Sequence, residues 1–208
     1  MQFPEPVLKH FKVADPHLYQ AITEQNLLCR QIEPMLDHTQ FFTKLFDSIV
    51  SQQLAIKAAD AIWARVIGLF PGGRVNPETL LKIPEQQLRD VGLSWAKVRY
   101  VRDLAAQTVA GTVQFERLNE LSDEDVVIEL TKVKGIGRWT SEMFLMFTLG
   151  RPDVFSFGDL GLLRGFQKLY GIADEAAART QLPTVTAAWA PHRSFGAFAL
   201  WAYYDKTK

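Results

Sequence analysis

The chain has 208 residues, 48% hydrophobic and 22% charged, which is the composition of a soluble globular protein and not of a disordered one. Its 23 basic and 23 acidic residues give zero formal net charge, which excludes nucleic-acid binding through an overall positive field and leaves only local fields. A single cysteine, Cys29, excludes an internal disulfide framework, a cysteine zinc site and a four-cysteine iron–sulfur cluster. We therefore expect a cytosolic protein, and no apolar run approaches the roughly 20 residues of a membrane span.

The predicted elements are all helical. Residues 1–14, with two prolines, predict an irregular lead-in. Asp15 is placed to cap a helix that begins at Pro16, runs to about Cys29 and is interrupted at Pro34. Apolar residues at three- and four-residue spacing, proline starts and serine caps predict further helices over residues 39–51, 56–70, 77–82, 84–90, 95–109, 122–133, 139–149, 159–169 and 194–204. Because no segment alternates as a strand does, the predicted class is all-α, with about ten helices.

A glycine turn joins two of these helices within the segment from Leu130 to Thr140. Gly135 and Gly137 bracket Ile136, so two positions can adopt backbone angles that a side chain forbids. The next helix begins at once, and its first amides, its positive dipole end and the Thr140 hydroxyl form a candidate phosphate site. The carbonyls before and within the turn are candidate ligands for a monovalent cation: those of Thr131, Val133 and Ile136. The alternative is a plain helix–turn–helix corner.

Asp159 follows Phe155, Phe157 and Gly158 and begins an apolar helix. The ordinary interpretation is a helix cap. The functional one is a carboxylate among aromatic walls that stabilises positive charge on a sugar as a glycosidic bond breaks. The two roles are compatible.

Other candidate binding residues flank these two features. Trp139 adjoins the glycine turn and Trp201 lies on an uncharged last helix, so either is a buried core residue or a stacking surface for an extruded base. Gln52 and Gln53 end an amphipathic helix, where an amide pair fills the gap left by such a base or is simply solvated. At the start of the last helix there is a further candidate phosphate contact, formed by Arg193 and Ser194.

Taken together, these residues resemble the helix-hairpin-helix DNA glycosylases, and within them the alkylpurine branch of DNA-3-methyladenine glycosylase II. The resemblance covers roughly residues 40–205. It rests on five segments in order: Ser48 to Leu54, Gly92-Leu93-Ser94 with Lys97, Leu130 to Thr140, Val154 to Asp159, and Pro191 to Ser194 with Trp201.

The resemblance implies two helical lobes with the active-site cleft between them. One lobe would comprise residues 1–41 and 152–208, and the other residues 42–151, ending in the hairpin at about 130–145. It implies that Asp159 is catalytic, that Trp139 and Trp201 lie in or beside the base pocket, and that Gln53 wedges into the duplex. Met143 stands at an aromatic pocket position of the branch.

The implied function is excision of alkylated purines such as 3-methyladenine from double-stranded DNA by hydrolysis of the N-glycosidic bond. Trp139 stands where strand-cutting relatives carry a lysine, so no lyase step is expected. No cofactor is required, and the candidate ion at the hairpin is a structural Na⁺ or K⁺. No protein partner is indicated, so a monomer is expected. The alternatives are a non-catalytic module that binds damaged or branched DNA and a glycosylase for deaminated or oxidised bases.

Overall fold

The computed structural model describes residues 1–30 and 37–208. Within these residues the regular structure is entirely helical, which confirms the all-α class. The helices are α1 (Glu5–Ala14), α2 (Pro16–Glu24), α3 (Phe41–Ser51), α4 (Ile56–Ile67), α5 (Pro77–Lys82), α6 (Glu85–Asp90), α7 (Trp95–Val109), α8 (Asp123–Leu130), α9 (Arg138–Phe147), α10 (Leu160–Tyr170), α11 (Glu175–Ala187) and α12 (Arg193–Lys206). Short 3₁₀ turns lie at His38–Gln40, Pro71–Gly73 and Phe115–Arg117. None of the described helices combines the length and apolar character needed to cross a membrane.

The chain forms two compact units. The terminal unit comprises Met1–Pro34 and Leu145–Lys208, and the central unit comprises Met35–Phe144. The sequence analysis placed the same divisions at 41/42 and 151/152. The later division now falls inside α9, where an uninterrupted apolar helix carries no mark of a boundary.

The core of the central unit is built on α3. Its six predicted apolar positions are all buried: Phe41, Phe42, Leu45, Phe46, Ile49 and Val50. Phe41 meets Phe144 edge-to-face at 5.3 Å between ring centroids, and Phe46 meets Trp63 in the same way at 5.3 Å. Each such side chain stabilises the fold by about 1.5–3 kcal/mol through burial. Helix α7 packs on this core and so is held rigidly beside α3.

The terminal unit is tied together by the buried carboxylate of Asp15. It caps α2 by accepting the Leu18 amide at 3.0 Å, and it accepts the Trp189 indole N–H at 2.7 Å and the Tyr170 hydroxyl. Burial, with this hydrogen bond, raises the pKa of the Tyr170 phenol. The Trp189 ring lies flat against Gly196, where an added Cβ would be 2.2 Å from it. The two ends of the chain therefore share one core.

Three sequence predictions of helices are corrected. Residues 1–14 are not irregular, because Pro4 and Pro6 occupy first-turn positions that tolerate proline and Val7 and Phe11 bury one face of α1. Helix α2 ends at Glu24, before Cys29, because Asn26 adopts a left-handed φ of +48°. Helix α11 was not predicted at all. The predicted interruption at Pro34 lies outside the described residues.

Candidate active site

The glycine turn between α8 and α9 requires glycine at one position only. Gly135 has a φ of +86°, and a Cβ there would lie 2.3 Å from the Tyr100 ring. Gly137 is not among the positive-φ glycines, so only Gly135 uses the backbone freedom that both glycines allow. A Cβ at Gly137 would meet no atom within 4 Å, so the backbone there faces open space.

Helix α9 begins at Arg138, directly after Gly137. The Ser141 amide donates to the Gly137 carbonyl at 3.0 Å, so the amides of residues 138–140 precede the hydrogen-bonded ladder at the positive end of the helix dipole. This arrangement suits an anion such as phosphate. Thr140 is only 5% exposed, so most of this residue is buried beneath the surface at the start of α9.

The basic side chains of the turn are paired with carboxylates. Arg138 binds Glu124 through two hydrogen bonds of 2.9 and 2.5 Å, and the hydrogen bonds from Arg138 lower the pKa of Glu124. Asp103 accepts the Lys134 amide at 2.8 Å and lies 3.7 Å from its ammonium group. The turn therefore offers amides and balanced charge pairs, not an unopposed positive patch.

The three predicted cation ligands are backbone carbonyls of this turn. The Val133 carbonyl accepts the Ile136 amide at 3.1 Å, which leaves one lone pair for a further contact. Carbonyl oxygens suit hard cations. Within the described part of the chain, no group of histidine, cysteine, aspartate and glutamate side chains forms a metal site.

An open pocket of about 540 Å³ lies in the central unit between the end of α3 and the start of α9. It brings together five of the predicted site residues. Its lining consists of Ser48, Ser51, Gln52, Gln53, Leu54, Trp139, Thr140 and Met143. Trp139 is 46% exposed, so it is a surface indole and not a core residue. Ser48, Ser51 and Leu54 were not singled out as site residues from the sequence.

The two glutamines that border the pocket differ in role. The Gln52 side-chain amide donates to the Gly135 carbonyl at 2.9 Å and so ties its loop to the glycine turn. Gln53 is exposed, and its left-handed φ of +57° is uncommon for a residue with a side chain. Only Gln53 of the pair is therefore presented outward. Lys97, quoted from the sequence without a role, donates to the carbonyls of Val50 and Gln52 beneath this loop.

Asp159 lies in the terminal unit, where it caps α10. Its Oδ1 atom accepts the Leu162 amide at 2.8 Å and the Trp201 indole N–H at 3.1 Å. A Cβ at Gly161 would lie 3.1 Å from both Oδ1 of Asp159 and Nε1 of Trp201, so this position has little room for a side chain. Asp159, predicted as a helix cap, and Trp201, predicted as a base-pocket residue, are therefore hydrogen-bonded to each other.

Aromatic rings surround Trp201. Phe147 and Phe198 lie nearly parallel to it, at 5.9 and 6.2 Å between centroids. The Arg30 guanidinium rests 5.3 Å from the Phe147 centroid and 5.8 Å from that of Trp201. This surface next to Asp159 therefore attracts a planar cation. Arg30 is far from Trp201 in sequence, and no local pattern pointed to the contact.

The predicted phosphate contacts at the start of α12 are engaged elsewhere. Arg193 forms a two-pronged ion pair with Asp153, with both distances 2.8 Å. Burial alone would raise the pKa of Asp153, but the hydrogen bonds from Arg193 outweigh it and the pKa is lowered. Ser194 is fully buried, donates to the Arg151 carbonyl at 2.7 Å and accepts the Val154 amide at 2.9 Å. Both residues therefore fix the loop that leads to Asp159.

The sole cysteine, Cys29, belongs neither to the residues around the central-unit pocket nor to those around Asp159. Cys29 is buried, and desolvation raises the pKa of its thiol to about 11. It is a filler of the terminal core and not a nucleophile.

Comparisons with known proteins place this geometry in a family. Residues 46–188 match the family model described as HhH-GPD superfamily base excision DNA repair protein. A putative DNA-3-methyladenine glycosylase of Bacillus subtilis is 29% identical over 81% of this chain, and the chain spans only 60% of that relative's length.

Two solved structures are similar over nearly the whole chain. The DNA-3-methyladenine glycosidase of Bacillus halodurans is 36% identical, with a TM-score of 0.85 over 100% of this chain and 93% of that one. The 3-methyladenine DNA glycosylase of Schizosaccharomyces pombe in complex with abasic DNA is 28% identical, with a TM-score of 0.81 over 94% of this chain and 95% of that one. The chain belongs to the HhH-GPD superfamily of base excision DNA repair proteins.

Proposed function

We propose that the protein is a monofunctional DNA glycosylase that removes alkylated purines such as 3-methyladenine from double-stranded DNA. The relatives described above are named for this activity. The observation that carries the proposal is the Asp159 carboxylate, held at a helix start and hydrogen-bonded to the Trp201 indole. An ordinary cap needs only the helix amide, whereas this one is also fixed by an aromatic side chain at its edge.

Asp159 acts on the sugar. As the bond between C1′ and the base nitrogen breaks, the base leaves with the bonding electrons and the sugar becomes cation-like. The carboxylate stabilises this charge, and water then adds to C1′ and loses a proton. A methylated purine that is already cationic leaves as a neutral base, so no general acid is needed.

The hairpin holds the DNA backbone. A phosphate sits at the amides of residues 138–140, where the open space at Gly137 allows close approach. The carbonyls of Thr131, Val133 and Ile136 would hold a monovalent cation, which would supply positive charge for the DNA backbone. The protein works as a monomer in the cytosol, beside the DNA that it scans.

Base flipping uses the residues around the central-unit pocket. Gln53, held outward, enters the duplex as the damaged base leaves it, and the exposed Trp139 ring offers a stacking surface. Flipping costs a few kcal/mol, and less for a poorly paired damaged base. Stacking on an aromatic ring returns about 1–3 kcal/mol per base. The contact of Arg30 with the rings of Phe147 and Trp201 supports a preference of that surface for planar cations.

No lyase step accompanies hydrolysis. A Schiff base needs an amine at the sugar, and Trp139 supplies an indole at the position where strand-cutting glycosylases carry lysine. Abasic DNA with an intact backbone is therefore the expected product.

The test is base release from methylated duplex DNA by the wild-type protein, followed by chromatography. We expect free methylated purines and no trapping of protein on DNA by borohydride. Binding of damaged or branched duplex without release of any base would instead establish a non-catalytic module. Release of deaminated or oxidised bases alone would overturn the alkylpurine assignment.

A further inference from the structure

Helix α7 carries three side chains, at three-residue spacing, that contact the segments flanking the central-unit pocket. Lys97, Tyr100 and Asp103 occupy positions i, i+3 and i+6 and so share one side of the helix. Residues 52–54, which lie in the connection between α3 and α4, are called here the glutamine loop. Lys97 contacts this loop, and Tyr100 and Asp103 contact the glycine turn.

Lys97 binds the end of α3. The last carbonyls of a helix have no partner within the helix and need donors from elsewhere. The Lys97 ammonium donates to the carbonyls of Val50 and Gln52 at 2.6 and 2.7 Å. Desolvation lowers the pKa of this lysine, as expected for an ammonium drawn into the protein to make these contacts. These charge-assisted hydrogen bonds lie directly before Gln53, the residue with the left-handed backbone.

Tyr100 and Asp103 fix the other segment. The Tyr100 ring lies so close to Gly135 that no side chain fits between them, and Asp103 accepts the amide of Lys134 at 2.8 Å. The Gln52 side chain closes the arrangement by donating to the Gly135 carbonyl at 2.9 Å. The glutamine loop and the glycine turn are thus attached to one rigid helix and to each other.

We infer that Lys97 is a positioning residue for base flipping, which holds the glutamine loop at a fixed distance from the hairpin through α7. The inference rests on the proposed function. Gln53 has to enter the duplex while the hairpin holds the DNA backbone, so the glutamine loop and the glycine turn must keep a fixed relative position. A displacement of about 1 Å at a reacting site costs about 100-fold in rate. Lys97 itself makes no contact with the base or the sugar in this role.

The test compares Lys97→Met, Lys97→Arg and the control Lys82→Met, which removes an exposed ammonium from α5 of the same unit. Single-turnover base release is measured with one 7-methylguanine placed opposite cytosine and, separately, opposite an abasic site. No base pair has to be broken in the second duplex. We expect Lys97→Met to slow release opposite cytosine by about 10- to 100-fold and opposite the abasic site by less than about 3-fold.

Lys97→Arg keeps the cation and is expected to restore most of the rate, and Lys82→Met is expected to match the wild type. Equal losses of rate in the two duplexes would overturn the inference, because a general loss of folded protein acts on both. An undiminished rate opposite cytosine would also overturn it.

Amide hydrogen exchange in the DNA-free protein tests the same contact without any glycosylase activity. We expect Lys97→Met to speed exchange in residues 52–54 while α10 in the terminal unit is unchanged. Faster exchange with no base release by the wild type would leave the contact in place and refute only the proposed function. Unchanged exchange would refute the role of Lys97.

Discussion

Substitution of Asp159 by asparagine separates the two roles of this residue. An asparagine Oδ1 can accept the Leu162 amide and the Trp201 indole N–H as the carboxylate does. Asparagine and aspartate are about equally good helix caps. Only the negative charge is lost. Its interaction with the dipole of α10 amounts to about 0.3–1 kcal/mol, so the melting temperature should fall by no more than about 4 °C. Loss of a preorganised charge at the reacting centre should lower the rate of base release by about 10²–10³-fold, which is about 2.7–4 kcal/mol.

The assay is single-turnover release of methylated purines from duplex DNA at saturating protein, with thermal unfolding in parallel. Asp174→Asn is the matched control, because Asp174 caps α11 by accepting the Ala177 amide at 2.9 Å. The control should reproduce the small change in melting temperature and leave the rate unchanged. If Asp159→Asn released bases as fast as the wild type, Asp159 would be a helix cap only and the proposed mechanism would be wrong.

Three further substitutions test other parts of the site. Trp201→Phe keeps the ring but removes the donor to Asp159, and should slow base release about tenfold in the same assay. Glu124→Gln removes the nearer of the two carboxylates beside Arg138, the other being Glu142 at 3.9 Å, and should tighten binding to undamaged duplex and steepen the slope of log affinity against log salt by up to about one in fluorescence titrations. Gly135→Ala meets both the positive φ and the Tyr100 ring, and should lower the free energy of unfolding in urea by about 2–5 kcal/mol, whereas Gly137→Ala should have little effect.

Features that depend on neighbouring residues were predictable from the sequence. Three helix caps expected from the sequence are formed by the side chains of Asp15, Ser94 and Asp159. Each accepts the backbone amide of the residue three positions ahead. The apolar face of α3 is buried as its spacing predicts. Such features need only helix geometry, which is the same in every protein.

Features that depend on distant partners were not predictable. Arg193 is a candidate phosphate ligand from its place in the sequence, and its pairing with Asp153, forty residues earlier, is visible only in the structure. Ser194 is part of the same candidate phosphate contact, and its complete burial is likewise visible only in the structure. Lys97 contacts the carbonyls of Val50 and Gln52, which precede it by 47 and 45 positions. Every residue has a backbone carbonyl, so the sequence does not indicate which ones the lysine will contact. In each case tertiary structure supplies the partner that decides the role of the side chain.

The zero net charge of the chain, which weakened the sequence argument for DNA binding, is accompanied by a local balance of charge at the hairpin. Lys132, Lys134 and Arg138 are paired with Glu129, Asp103 and Glu124 respectively. Exposed ion pairs of this kind are screened by water and contribute little to stability, so a phosphate placed at the start of α9 can displace the carboxylate from Arg138 at small cost. A phosphate that meets this surface by chance encounters no net positive charge, so it gains little binding energy from electrostatic attraction. Under the proposed function, affinity depends on contacts that form once a base is extruded, which favours damaged sites over the excess of undamaged DNA.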